Sequence, residues 1–454
     1  MIENKKVVVR YPPSPTGLFH IGNARTFLFN YLFAKQNNGQ IVFRLEDTDK
    51  ERSKEEYAQD IIENLKWLGI EPDFSTMVRQ SERSGVYKKY LEKLIEEGKA
   101  YFAEERKEGG PQPSSGATAG KKGQVIRFKN PNKKIKFDDL IRGNIEFDTT
   151  ELKDFVIAKS LEEPVYHLAV VVDDFEMGVT HIIRGDDGIS NTPRQILIQE
   201  AIGAPRPIYA HLPLMLAEDK TKLSKRKHGE KVSVSYYRNI GYLPEVMINF
   251  LVMIGWNPGT DQEIFSMREL IEKFDIRKVQ KKGGIFNIEK LDWINREYVL
   301  HTTREVQVEN LKTQVEKTKF KGNKKWQDAE FVEKFLKIIL DRIHRWEEIS
   351  EILETGEYDY LFEKPVLDKE KIIWKKQTLE KAKESLEKVL EILDNKEKIM
   401  NLAEKEGKGE TLWPLRYALS GREKSPDPFS LIEILGVQES KERVDKAIEV
   451  LNKN

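Results

Sequence analysis

At 454 residues the chain exceeds the roughly 250–300 over which a single hydrophobic core grows, so two or more domains are expected. Hydrophobic residues make up 39% and charged residues 33%, and no apolar run approaches the roughly 20 residues of a membrane span, so a globular chain with no membrane partner is expected. Its 76 basic side chains balance 76 acidic ones, so a polyanion has to be held by local basic surface, and the absence of cysteine excludes disulfides, thiolate nucleophiles and cysteine-ligated zinc.

The first residues, "MIENKKVVVR", run from charge straight into a strand pattern without an apolar signal core, and a cytoplasmic location is expected. Lys5–Tyr11 reads as a buried strand. A loop dense in proline and glycine, "PPSPTGLFHIGN", leads into Ala24, Phe27, Leu28, Tyr31 and Leu32 at helical spacing, and Asn37-Asn38-Gly39 stops the helix. A second strand, "QIVFRLE", precedes a helix that Ser53 is expected to cap, with Glu56 completing a capping box and Gly69 ending it. This β-loop-α-β-α order begins a doubly wound parallel sheet.

From about Tyr87 the pattern loosens, and "KEGGPQPSSGATAGKKG" reads as a flexible connection within an inserted subdomain. There "KKGQVIRFKNPNKKIKF" gathers seven Lys/Arg with Phe128 and Phe137, which suits phosphate contact and equally an ordinary strand pair with solvated lysines. Strand-helix alternation returns with "VTHIIRGDD", "TPRQILIQEAIG" and "RPIYAHLPLML", so the sheet is split by the insert. After about Arg226 the reading is almost all helical, Lys/Glu-rich from Val366 to Lys408.

Ligands of a parallel sheet bind beyond the carboxyl ends of its strands, where loops enter helix N-termini. The helix after Gly22 offers free N–H groups and a positive dipole end to a phosphate, Gly22 allows close approach, and His20 can donate a hydrogen bond. "KTKLSKRKHG", Lys220–Gly229, supplies a cationic loop with Lys222, Lys225 and Arg226. Each stretch alone reads as a turn or a solvated basic loop. About 200 residues apart yet predicted at one sheet edge, they point together to a nucleoside triphosphate whose phosphates gain charge during reaction.

In order and spacing, "PPSPTGLFHIGN", "FRLEDTDKERS", "VVVDDFEMGVTHIIRGDDGISNTPRQ", "HLPL" and "KLSKR" resemble the bacterial glutamyl-tRNA synthetases, a family of class I aminoacyl-tRNA synthetases. The resemblance continues in "GYLPEVMINFLVMIGW", "GIFNIEKLDWINREYV" and "WPLRYALSGREKSPDPFSLIEILG", and is weakest from Leu311 to Leu412. It implies an α/β fold: a split Rossmann-like parallel-sheet catalytic domain (1–86 and 179–226), an inserted α+β acceptor-stem-binding subdomain (87–178), a helical stem-contact domain (227–305) and an all-α anticodon-binding region (306–454). The implied ligase activates L-glutamate with ATP and Mg2+ to glutamyl adenylate, then passes the glutamyl group to the terminal adenosine of tRNA-Glu. Whether tRNA-Gln is also a substrate stays open. A monomer without structural zinc is expected.

Residue by residue, the resemblance assigns His20, Gly22, Lys222 and Lys225 to catalysis, and the same four with Asp187 and Ser224 to ATP. Arg10 reads the substrate's side-chain carboxylate, Ser14 and Tyr166 are hydroxyl positions, Glu46 takes the α-amino group and Arg184 the α-carboxylate. Asp49 and Arg52 match positions near the tRNA 3′ end, and Arg416 one that reads an anticodon base. A guanidinium fork separates glutamate from glutamine because an amide would leave buried donors unmatched. Plainer readings stand beside these: a strand-end ion pair for Arg10, a bond between Glu46 and Arg44 or a helix N-terminus, a core position for Tyr166, a cap or ion pair for Arg416, and packing or hydrogen bonding for His167, His181 and His211. Gly188 departs from the family, which has histidine or a larger residue there, and Pro12 replaces a usual alanine. A catalytically silent tRNA-binding paralogue and a glutaminyl-tRNA synthetase are the alternatives; the latter carries β-barrels where this chain reads as helical.

Overall fold

The computed structural model describes residues 6–104 and 124–453, so "KEGGPQPSSGATAGKKG" lies outside the described residues. Strand β1 (Val8–Tyr11), helix α1 (Ile21–Gln36) and strand β2 (Gln40–Leu45) follow in the expected order, with β1 and β2 parallel and Arg10 opposite Val42. Helix α1 buries Ile21, Ala24, Phe27, Leu28 and Leu32 but also Arg25 and Asn30, so it is an interior helix covered on several sides. At its end Asn37 closes the last turn, and a side chain at Gly39 would place its Cβ 2.7 Å from the Val7 carbonyl.

Helix α2 (Glu55–Trp67) corrects the expected capping box. Its N-cap is Lys54 without a side-chain cap, and Ser53 Oγ is buried with no hydrogen-bond partner among the described residues. The Ser53 and Lys54 N–H groups donate to Asp49 and Pro15 carbonyls, which holds the chain in loop geometry until Glu55. Glu55 and Glu56 in the first turn complement the helix dipole instead.

Strand β3 (Val78–Arg79) extends the first ladder, and helix α3 (Ser84–Glu96) follows. Strands β4 (Ala100–Glu104), β5 (Gln124–Phe128), β6 (Lys134–Asp139), β7 (Gly143–Asp148) and β8 (Phe155–Ala158) divide between two sheets. β4, β5 and β8 form an antiparallel sheet, while β6 pairs with β7 and meets β10 (Ile208–Leu212) at Asp139 and Tyr209. Phe128 and Phe137 are buried in the apolar core, and Lys134 and Lys136 pair with Glu146. The two strands of the basic stretch, β5 and β6, therefore lie in different sheets and do not pair with each other, which corrects the strand-pair reading.

Helix α4 (Tyr166–Glu176), strand β9 (His181–Gly185) and helix α5 (Thr192–Ile202) precede β10, which runs parallel to β9 with His211 opposite Arg184. β1 lies against β9: the Thr180 N–H donates to Val8 O at 2.9 Å, and the Val8 N–H to Thr180 Oγ1 at 2.8 Å. The parallel strands therefore bring Arg10, Glu46, Arg184 and His211 to one carboxyl edge. Beyond it come β11 (Met215–Leu216), the short α6 (Lys225–His228), α7 (Val234–Asn239), α8 (Pro244–Met253), α9 (Met267–Lys273) and β12 (Gly284–Ile285), which pairs with β11.

The chain forms two compact units, Met1–Ile294 and Asn295–Asn454, with α10 (Ile288–His301) passing through the division. The second unit is helical among its described residues: α11 (Arg304–Val315), α12 (Ala329–Ile339), α13 (Glu347–Glu354), α14 (Lys369–Ile372), α15 (Leu379–Glu391), α16 (Lys396–Glu406), α17 (Lys408–Ser420), α18 (Pro428–Leu435) and α19 (Val437–Asn452). The Lys/Glu-rich α15 buries Ala382, Ser385, Leu386 and Val389 on one face. Pro414 lies inside α17 and cannot donate to Glu410 O. That carbonyl accepts from Gln377 Nε2 (3.0 Å) and Ser385 Oγ (3.2 Å) instead.

Candidate active site

Two buried arginines stand on adjacent strands of the carboxyl edge. Arg10, next to last in β1, is 2% exposed; its Nη1 donates to Ile183 O (3.3 Å) and its Nε lies 3.6 Å from Asp174. Arg184, on β9, donates from Nε to His211 and from Nη2 to Gly188 O and Thr192 Oγ1, while its Nη1 is buried with no hydrogen-bond partner among the described residues. Burial pulls the Arg184 guanidinium below its ordinary value, and the nearby Arg10 charge adds to that.

Between the strand ends and α4 runs a buried ionic network. Arg44 is fully buried and reaches Asp174 (3.0 Å), Glu46 (3.2 Å) and Asp173 (3.5 Å), whose combined charge outweighs its desolvation and keeps it protonated. Asp173 also accepts from Gln80, Arg83 and Tyr87. Burial raises the Glu46 carboxyl above its ordinary value, with Arg44 and Arg10 opposing. Glu46 thus does bond Arg44, and remains a carboxylate that an incoming ammonium would stabilise. Tyr166 opens α4 and is 42% exposed, which removes the core reading; desolvation first and then Glu46 raise its phenol, with Arg184 and Arg10 opposing. Ser14 is exposed in the loop after β1.

The "HIGN" stretch and the loop Lys220–Gly229 approach each other. His20 is the N-cap of α1: its Nδ1 accepts from the Gly22 N–H at 2.9 Å, which leaves the ring proton on Nε2 as a free donor. Desolvation, then Lys225 and Lys222, lower His20 to about 4, so the ring is neutral. A Cβ at Gly22 would stand 3.0 Å from His20 Nδ1. Lys225 Nζ reaches the Leu18 carbonyl (2.8 Å) over Gly17, and Lys222 pairs with Asp187 (3.2 Å). Ser224 precedes α6 and takes His228 as partner to its N–H.

Asp49 and Arg52 bind each other on an exposed loop. In the second unit Arg416 stacks over Trp413 (4.7 Å), donates to Glu423 O (2.8 Å) and Ser425 O (3.3 Å), and lines a cavity of about 520 Å³ with Lys334, Lys337 and Arg342.

Sequence reasoning assigned no role to Arg44, Asp173, Asp174, Asp139 or His211. A signal for two of them was available: consecutive acids inside the apolar run "VVVDD" of a helix demand buried cationic partners. Nothing local in the sequence pairs Asp139 with His211.

The edge gathers buried arginines, a helix N-terminus and a cationic loop at the ends of parallel strands, and comparison with known proteins gives its class. Residues 6–109 and 112–293 match the model of the catalytic domain of class I tRNA synthetases (E and Q), and residues 307–448 match an anticodon binding domain; the chain belongs to this synthetase family. A glutamate–tRNA ligase of Aquifex aeolicus (strain VF5) is 40% identical, with 98% of this chain and 100% of the relative covered. One from Sulfurihydrogenibium sp. (strain YO3AOP1) is likewise 40% identical over 97% and 99%. The crystal structure of a glutamate tRNA ligase from Elizabethkingia meningosepticum in complex with its amino acid superposes with a TM-score of 0.81, at 32% identity over 98% of this chain and 100% of that one.

Proposed function

We propose that this chain is a glutamate–tRNA ligase. ATP and L-glutamate react when the substrate α-carboxylate attacks the α-phosphorus and pyrophosphate leaves; the 3′-terminal adenosine hydroxyl of tRNA-Glu then attacks the glutamyl carbonyl and AMP leaves. No protein nucleophile takes part. Positioning and charge stabilisation carry both steps.

The observation that carries this reading is the pair of buried arginines, Arg10 and Arg184, beside the Glu46 carboxylate, whose side chain is 9% exposed. Two anionic groups and one ammonium are what glutamate offers them. Arg10 takes the side-chain carboxylate, Arg184 the α-carboxylate, Glu46 the α-amino group, and Ser14 and Tyr166 line the pocket. His20, Gly22, Lys222 and Lys225 hold the phosphates, with Asp187 and Ser224 around the nucleotide. Magnesium arrives on the triphosphate; no cluster of three or more His, Cys, Asp or Glu is placed to hold a metal among the described residues. Segments 1–86 and 179–226 form the catalytic part, with 87–178 for the acceptor stem, 227–305 for stem contact and 306–454 for the anticodon. Asp49 and Arg52 serve the tRNA 3′ end and Arg416 an anticodon base. We assign a monomeric enzyme working beside its tRNA in the cytoplasm; among the described residues no helix is long and apolar enough to cross a membrane.

Purified protein incubated with labelled glutamate, ATP and magnesium, and separately with tRNA-Glu or tRNA-Gln transcripts, tests the proposal. Label on tRNA-Glu alone identifies a discriminating enzyme, and label on both a relaxed one. Binding of tRNA with no label on either would make the silent paralogue the correct account.

A further inference from the structure

Arg184 is held through its Nε and Nη2, while its Nη1 is buried without a hydrogen-bond partner among the described residues. Its Nε donates to His211 Nε2 at 3.0 Å, and its Nη2 donates to Thr192 Oγ1 at 2.8 Å and to Gly188 O at 3.1 Å. A guanidinium has no acceptor atom, so His211 Nε2 must present a lone pair and the ring proton must be on Nδ1. Asp139 Oδ2 lies 2.6 Å from Nδ1 and receives that hydrogen bond. Asp139 is itself fixed by the backbone N–H groups of Ile141, Arg142 and His211. Orientation thus passes from a backbone turn at the end of β6, through Asp139 and His211, to Arg184 on β9, among residues of at most 8% exposure.

Gly188 completes the seat. A Cβ at that position would stand 2.5 Å from Arg184 Nε and 2.8 Å from its Cδ, so any side chain there displaces the arginine. The departure from the family noted at 188 and the buried histidine on β10 serve the same guanidinium.

We propose that the Asp139–His211 pair and Gly188 position Arg184 so that its unpartnered Nη1 meets the substrate α-carboxylate. His211 is a positioning residue for glutamate recognition and does not touch the substrate. The proposal rests on the assignment of Arg184 to the α-carboxylate. Its particular content is that disturbing His211 or Gly188 weakens recognition of that one carboxylate and leaves the rest of the substrate and the nucleotide as they were.

The test is glutamate-dependent ATP–pyrophosphate exchange, with saturating tRNA-Glu transcript in every assay, by the full chain and by His211→Leu, His211→Gln and Gly188→Ala, with thermal unfolding recorded for each. 4-Aminobutanoate, which is glutamate without the α-carboxylate, serves as a competing ligand. In His211→Leu and Gly188→Ala the KM for glutamate should rise about ten-fold or more, the loss of a charge-assisted hydrogen bond, while the KM for ATP and the Ki of 4-aminobutanoate stay within about two-fold. His211→Gln, whose amide oxygen can accept from Arg184 Nε, should recover most of the glutamate affinity. Equal shifts for glutamate and 4-aminobutanoate, or no shift in either, would overturn the proposal and leave His211 a packing residue. Should His211→Leu fail to fold, Gly188→Ala carries the same comparison without removing a buried polar group. Absence of glutamate-dependent exchange in the unaltered chain would instead overturn the assignment of Arg184 itself.

Discussion

Lys225 Nζ donates to the carbonyl of Leu18 at 2.8 Å, joining two segments 207 residues apart. The lysine is partly desolvated there, which lowers it from its ordinary value, and its charge helps keep His20 neutral. One contact thus gathers the cationic loop and the N-terminus of α1.

Lys225→Ala should lower the rate of adenylate formation by roughly 10²–10³-fold, the usual cost of removing one donor to a charge developing in a dry site. Rapid-quench measurement of glutamyl adenylate at saturating substrates reads this directly. Gly17→Ala, whose Cβ would stand 2.5 Å from the flexible lysine tip, should give a smaller loss of the same kind. A full rate in Lys225→Ala would remove the lysine from the reaction.

Arg10→Gln should erase the preference for glutamate over glutamine. A buried amide in place of a buried guanidinium leaves the carboxylate without its partner, and about 3–5 kcal/mol is the scale for breaking such a pair. Comparing kcat/KM for the two amino acids in pyrophosphate exchange checks it; retained preference would assign the reading to another residue.

Arg44→Leu leaves Glu46, Asp173 and Asp174 without the cation they share. Stability should fall by roughly 3–5 kcal/mol, seen as a lower midpoint in urea unfolding of the first unit's transition. The loss should shrink in Arg44→Leu combined with Asp174→Asn, because the second change removes one of the stranded charges.

His20 is lowered from 6.5 to about 4 by burial, then by Lys225 and Lys222, and His167 to about 4 by burial, then by Arg194 and Arg184. Between about pH 4 and 6.5 the unfolded chain binds protons at both residues that the folded chain does not. Their contribution is therefore complete above 6.5 and is lost as pH falls toward 4. Urea unfolding at about pH 7 and about pH 5 should show a smaller loss in His20→Gln than in the unaltered chain; identical losses would mean that His20 titrates normally.

Arg416→Ala should raise the KM for tRNA about ten-fold or more without changing pyrophosphate exchange, because base stacking and edge contacts are worth about 1–3 kcal/mol. Unaltered charging kinetics would return Arg416 to its plainer role, tying the Glu423–Ser425 turn to α17.

The sequence made legible the local strand-loop-helix order and the stop after Gln36, and the sheet-edge rule brought His20 and the Lys225 loop together although they lie far apart in the chain. Ser53 misled because its N–H closes a local turn onto Asp49 O while the Lys54 N–H is held by the sequence-distant Pro15 O, and a capping rule does not see that second, tertiary bond. Asp139 and His211 were invisible for a related reason. They meet only because β6 joins β10, a pairing across 72 residues that no periodicity encodes. For Glu46, both readings of the sequence hold together, since its bond to Arg44 is what fixes the carboxylate at the strand end.

Pro414 has a consequence for the order in which the second unit assembles. Because α17 cannot close its own ladder at Glu410, that turn acquires its hydrogen bonds only when Gln377 and Ser385 arrive from the preceding segment. The helix that carries Arg416 is finished by its neighbours, so the docking of α15 supplies a hydrogen bond that α17 cannot make for itself.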